Sequence, residues 1–115
     1  MDSKLDSINL QQRKIECQKI MQSHPNQIPI ILENDKEIND SKTMENRFLV
    51  PKRFKFQEFI FNLRKNMNLP KTSALFISIG GHLPALDKTM ISIYDEFKNP
   101  DGFLYVRYSS ESALG

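Results

Sequence analysis

The chain contains one cysteine, no tryptophan and only four glycines, and neither sign of charge dominates it. A single thiol, Cys17, excludes a disulfide framework, a CxxC redox pair and a thiolate zinc site within one chain. That usage fits a reducing compartment. Sixteen Lys and Arg against fourteen Asp and Glu leave a net charge of +2. The basic residues are scattered, so nucleic acid is not expected as a partner. No apolar run approaches the roughly 18 to 20 residues that span a bilayer. The first twenty residues carry Asp2, Lys4, Asp6, Arg13, Lys14, Glu16 and Lys19, so the chain is expected to be neither secreted nor transmembrane. His24 and His82 have no second ligand at metal spacing. Walker and dinucleotide patterns are absent. No nucleophile, base and metal come together in the pattern, so neither an enzyme nor a cofactor is expected. At 115 residues the chain is one domain.

What is present changes period several times. From about Leu10 to Ser23 there are no breakers, and Leu10, Cys17, Ile20 and Met21 share one side of a helix that Ile15 leaves. Cys17 on that apolar side is expected to be a buried, inert thiol. Ser3 to Asn9 reads as a separate, shorter helix capped by Ser3 or Asp2. His24-Pro25 stops the second, with His24 a cap or surface residue. Arg13, Lys14 and Lys19 read as a solvated basic face. Ile28 to Leu32 is an apolar run with β-branched residues, hence a strand, and Pro29 implies that its start is not fully laddered. Glu33 to Glu45 is polar and reads as a loop.

Phe48-Leu49-Val50, stopped by Pro51, has the length and the proline of an edge strand. Phe56, Phe59, Ile60, Leu63 and Met67 then form one apolar helical stripe, with Gln57, Glu58, Arg64 and Lys65 on the other side. Leu75 to Ile79 is a third strand, and Gly80-Gly81 supplies the positive φ angles of a tight turn. Met90, Ile93, Tyr94 and Phe97 mark a short helix. Asn99 to Gly102 turns into a final strand, predicted over Asp101 to Tyr108. The fold class is α+β: a ubiquitin-like β-grasp, a mixed four-stranded sheet packed on a central helix, with two N-terminal helices. Residues 1–26 form the helical extension, 27–109 the core and 110–115 a flexible polar tail.

The chain as given ends on Gly115, whose missing Cβ suits a carboxylate that an enzyme must reach, although many chains simply end, or are cut, at glycine. His24-Pro25-Asn26-Gln27-Ile28-Pro29-Ile30-Ile31, Phe48-Leu49-Val50-Pro51, Ser92-Ile93-Tyr94-Asp95-Glu96 and Asp101-Gly102-Phe103-Leu104-Tyr105-Val106, with Gly115, resemble the light chain 3 and GABARAP family of autophagy modifiers. The match runs from about Leu10 to Gly115. The resemblance implies that Gly115 is joined to phosphatidylethanolamine by activating and conjugating enzymes and released by a deconjugating cysteine protease. It implies a cytoplasmic monomer that moves to the autophagosome membrane when lipidated, and that binds cargo receptors through short aromatic-x-x-aliphatic motifs. By the same resemblance the aromatic pocket is lined by Glu16, Ile20, Pro29, Ile31, Arg47, Leu49 and Phe103. The aliphatic pocket uses Phe48, Val50, Pro51, Phe54, Phe59 and Leu63. Read without it, Ile20, Ile31 and Leu63 are plain core.

Three departures from the family pattern stand out. Leu114 replaces the usual aromatic residue before the glycine. Glu45 and Asn46 stand where lysines are common, leaving Arg47 as the only close cation on the rim. Asn62 replaces an aliphatic pocket residue, and its amide is costly to bury unpaired. These changes imply a relaxed or inverted preference for acidic residues upstream of the aromatic. A ubiquitin-like interaction domain that is never conjugated is the alternative to a conjugated modifier.

Overall fold

The computed structural model of the chain describes residues 3–35 and 47–111. Glu45, Asn46, Leu114 and Gly115 lie outside the described residues. The elements are α1 (Ser3–Ser23), β1 (Gln27–Asn34), β2 (Arg47–Pro51), α2 (Phe56–Asn66), β3 (Ala74–Ser78), α3 (Met90–Phe97) and β4 (Leu104–Glu111). The N-terminal segment is one continuous helix where the sequence predicts two. Neither proline nor glycine occurs from Ser3 to Ser23, so nothing breaks the helix where Asn9 meets Leu10, and serines are tolerated within one. No helix among the described residues is long and apolar enough to cross a membrane.

Four strands form one sheet in the order β2-β1-β4-β3. The central pair β1 and β4 is parallel, and each outer strand is antiparallel to its neighbour. This is the predicted β-grasp, with β2 at an edge as its short length and proline indicate. Pro29 lies opposite Leu49, while the ladder with β4 begins one residue later at Ile30 and Leu104. The proline therefore sits where β1 has a neighbour on one side only. The last strand is displaced from its predicted span. Asp101 and Gly102 form the turn; Ser109, just past the predicted strand, pairs with Phe76, and Ser110 and Glu111, read from the sequence as polar tail, pair with Leu75 and Ala74.

Each face of the sheet buries against a different layer. One face packs on α2 and α3, where Phe56, Phe59, Leu63, Met90 and Ile93 meet Ile28, Ile30, Val50, Leu104 and Val106. The Phe48 ring meets Phe59 edge-on, with centroids 6.0 Å apart. The opposite face carries Ile31 and Phe103 against Cys17, Ile20 and Met21 of α1. Local signals place the helix ends. The Lys55 N–H donates to Glu58 Oε1 at 3.0 Å, as half a capping box at the start of α2. Asn68, with φ of 54°, adopts the left-handed conformation just past its end. Thr89 Oγ1 accepts the Ser92 N–H at the start of α3. Gly80 and Gly81 have φ of 58° and 78°, as a type I′ turn requires, and Ile79 and His82 exchange both backbone hydrogen bonds across it.

Candidate functional site

The outer edge of β2 carries no strand among the described residues, and it runs between α1 and α2. Beside it opens a groove of about 660 Å³. Ile20 from the last turn of α1 and His24 just past its end line one wall, and Pro29, Ile30 and Phe103 line the groove as well. Arg47, Phe48 and Leu49 supply the strand side, and Asn62, Lys65 and Asn66 of α2 the other wall.

A buried polar cluster sets the position of the first wall. Asp101 is 2% exposed, and its carboxylate accepts from the Phe103 N–H at 2.8 Å, the Tyr105 hydroxyl at 2.6 Å and Arg13 Nε at 2.9 Å. Arg13 is thus an anchor of α1 to the start of β4; the sequence reads it as a solvated cation. The Tyr94 hydroxyl donates to the Gly102 carbonyl at 2.7 Å and closes the same corner. Gly102 has φ of +95°, and a Cβ there would lie 2.8 Å from Cys17 Sγ. The helix and the turn therefore touch where glycine alone fits. Burial, and then the Asp101 charge, push the Cys17 thiol up to about 11. Burial followed by its hydrogen bond to Asp101 raises the Tyr105 phenol, and burial raises Tyr94. These groups hold their protons and act as packing and hydrogen-bond donors.

Of the residues assigned to an aromatic pocket, Ile20, Pro29, Arg47, Leu49 and Phe103 line this one groove. Glu16 lies at its rim, ion-paired with Arg47, whose guanidinium sits 5.8 Å from the Phe103 ring centre. Ile31 is fully buried against Cys17 and Phe103 and supports the base of the groove from within. The residues assigned to an aliphatic pocket are dispersed. Phe48 lines the first groove. Phe54 lines a smaller hollow of about 370 Å³ with Gln57, Glu58, Phe61 and Asn62. Pro51 borders a third with Asn26, Gln27, Lys52 and Arg53. Val50, Phe59 and Leu63 are completely buried in the core.

Sequence reasoning left out His24, Ile30, Lys65 and Asn66 as lining residues. The available signal was spacing: positions 62, 65 and 66 share one helix face at i, i+3 and i+4. Arg47 is also not the only cation near the groove, since Lys65 lines it too. Among the described residues no group of three His, Cys, Asp or Glu is placed to hold a metal. His82 packs on the Phe97 ring at 5.6 Å between centres.

A β-grasp sheet with a groove beside its free edge, walled by an added N-terminal helix, defines a ubiquitin-like module with a peptide-sized hollow. The family described as "Autophagy protein Atg8 ubiquitin like" matches residues 12–115, and the chain belongs to it. It is 34% identical to autophagy-related protein 8 of Schizosaccharomyces pombe, over 96% of this chain and 91% of that one. It is 34% identical to autophagy-related protein 8c of Arabidopsis thaliana, covering 92% and 89%. Among solved structures it resembles Trypanosoma brucei ATG8, with a TM-score of 0.77, 32% identity and coverage of 92% and 91%. Plasmodium falciparum Atg8, solved in complex with a Plasmodium falciparum Atg3 peptide, has a TM-score of 0.76 and 30% identity, covering 97% and 98%.

Proposed function

We propose that this chain is a conjugated autophagy modifier: Gly115 is joined to phosphatidylethanolamine, and the groove beside β2 receives short aromatic-x-x-aliphatic peptides on autophagosomal membranes. The observation that carries the peptide reading is the free β2 edge beside a groove with Ile20, Leu49 and Phe103 in its lining. An extended peptide gains affinity there from backbone hydrogen bonds and specificity from side chains seated in the hollows. The relative solved with an Atg3 peptide supports a conjugating enzyme as one ligand.

In the conjugation step an activating enzyme adenylates the Gly115 carboxylate and releases pyrophosphate. An enzyme cysteine then displaces AMP to form a thioester, and the lipid amine displaces the thiol to leave an amide. The chain is substrate throughout, and a cysteine protease would reverse the last bond by hydrolysis. Two acyl chains anchor it stably, since each buried methylene contributes about 0.8 kcal/mol. In this reading the chain is a cytoplasmic monomer until lipidated.

Purified activating and conjugating enzymes with phosphatidylethanolamine liposomes test the proposal. The chain ending in Gly115 should gain the lipid, and Gly115→Ala should abolish it. Lipidation of the alanine variant, or none of the parent, would overturn the conjugation reading.

A further inference from the structure

Away from the groove, a second hollow shares no lining residue with it. Asn26, Gln27, Pro51, Lys52 and Arg53 line a space of about 520 Å³ where β1 starts and β2 ends. No aspartate or glutamate lines it. Lys52 is half-buried and Arg53 exposed, and neither has an ion-pair partner among the described residues. The acidic side chains that the neighbouring helices could offer are engaged elsewhere, Glu58 with the Lys55 N–H and Glu96 with Lys88. Two unmatched cations beside two side-chain amides are a set of donors that lacks an acceptor. We propose that this hollow is an anion site that binds a phosphate ester between Lys52 and Arg53.

The chemistry of the lining selects phosphate over carboxylate. A phosphate ester offers three outer oxygens and more than one negative charge, enough to meet two cations and the amide N–H groups of Asn26 and Gln27 together. The Arg53 guanidinium grips two of those oxygens side by side, and the Lys52 ammonium adds a point charge. The backbone beneath is already fixed. The Lys52 N–H donates to the Asn26 carbonyl at 3.0 Å, the Lys52 carbonyl accepts the Ile91 N–H at 3.1 Å, and the Phe54 N–H donates to the Pro51 carbonyl at 3.1 Å. Gln27 lies opposite Pro51 in the β1–β2 ladder. Binding therefore orders side chains alone, which keeps its entropic cost small. Position separates this site from the conjugated end. β1 and β4 run parallel, with Asn34 beside Tyr108, and the chain continues past that pair toward Gly115. The hollow lies at the other end of β1, whose eight residues span about 23 Å. Its ligand, a soluble phosphate ester or a phosphorylated lipid headgroup, need not share the bilayer to which Gly115 would be joined, and the site stands whether or not the conjugation and peptide readings hold.

Inositol trisphosphate, and phosphatidylcholine vesicles carrying phosphatidylinositol bisphosphate, test the site and separate its two sources, with citrate as a carboxylate control of comparable charge. Titration of the soluble trisphosphate should shift the backbone amide resonances of Asn26, Gln27, Lys52 and Arg53. Arg53→Gln should weaken it about tenfold, the lower end for a charge-assisted hydrogen bond, and rising salt should weaken it further. Lys52→Glu should abolish binding, whereas Lys71→Glu, the same change of net charge at an exposed lysine outside the hollow, should leave most of it. Binding of the soluble compound assigns the site to a free phosphate ester; sedimentation with the vesicles alone assigns it to a headgroup. Binding of neither, resonance shifts centred elsewhere, equal loss in Lys71→Glu, or citrate bound as tightly as the trisphosphate overturns the proposal. Thermal unfolding verifies the variants, and should Lys52→Glu not fold, the resonance map of the parent protein and Arg53→Gln still decide. Titration of an aromatic-anchored peptide should be unchanged by Arg53→Gln, so failure of the anion site leaves the receptor reading standing.

Discussion

At the scale of single residues, the contact between α1 and the turn before β4 is the most exacting feature of the molecule. Asp101 offers two oxygens to three donors, so Asp101→Ala orphans a buried N–H and releases Arg13. Its expected cost is about 2 to 3 kcal/mol, discounted for the partial exposure of Arg13, and urea unfolding measures it. Arg13→Ala should cost less, because Tyr105 and the Phe103 N–H still serve the carboxylate. Gly102→Ala meets two obstacles, a φ of +95° and the Cys17 sulfur at 2.8 Å. Backbone strain of this type costs about 1 to 3 kcal/mol. In a Cys17→Ala background the steric part should vanish and the strain remain, so a double-mutant cycle on unfolding free energies should show coupling between the two sites. The same thiol makes stability pH-dependent. Its folded value of about 11 exceeds the ordinary 9.0, so the native state keeps the proton longer than the unfolded chain. The thiol's contribution to stability is therefore constant below pH 9.0 and is lost as pH rises toward about 11, by at most about 1.4 kcal/mol per pH unit. Cys17→Ala should abolish the part of that fall that begins near pH 9.0, leaving the later part due to Tyr94 and Tyr105. A slope unchanged by the substitution would place the titration elsewhere.

At the scale of elements, the edge strand and its neighbours decide how binding can be tested cleanly. Phe103 is fully buried, so its truncation would cost stability, about 3 to 5 kcal/mol for a core phenylalanine. Leu49 is only half-buried and lines the groove. Leu49→Ala should weaken an aromatic-x-x-aliphatic peptide by about 1 to 3 kcal/mol while leaving the unfolding midpoint nearly unchanged, which calorimetric titration beside thermal unfolding checks. These elements were legible in the sequence to unequal degrees. The stripe from Phe56 to Met67 and the spacing of Met90, Ile93 and Tyr94 read directly, because each helix buries one face and the period survives. β2 was legible as an edge from its length and proline. The helix α1 was not read as one piece, since only Cys17 among its described side chains is fully buried and Ile15 points to solvent. The end of β4 escaped as well: Ser109 and Ser110 pair through their backbones with β3, and their own polar side chains carry no strand pattern. The groove needed the third dimension, because Ile20, Leu49, Lys65 and Phe103 come from four separate segments.

At the scale of the whole molecule, the groove and the terminus proposed for conjugation should separate. The sheet is covered on one face by α2 and α3 within its own chain topology, whereas the other depends on α1, an appended helix held by Cys17, Ile20 and Met21 and by the Arg13–Asp101 pair. Removing residues 1–23 uncovers Ile31 and Phe103, both fully buried in the intact protein, and deletes Ile20 from the groove. At about 1.5 to 3 kcal/mol for each large apolar side chain returned to water, the truncated chain should be markedly less stable and prone to self-association. Its affinity for aromatic-anchored peptides should collapse because the first wall is gone. Gly115 lies four residues beyond the last residue of β4, so its deletion should leave both the unfolding midpoint and peptide affinity unchanged while abolishing lipid attachment. Measuring melting, peptide titration and liposome conjugation on the two truncations side by side gives the test. Loss of peptide binding on deletion of Gly115 alone, or full peptide affinity without α1, would show that the hollow beside β2 is not the receptor.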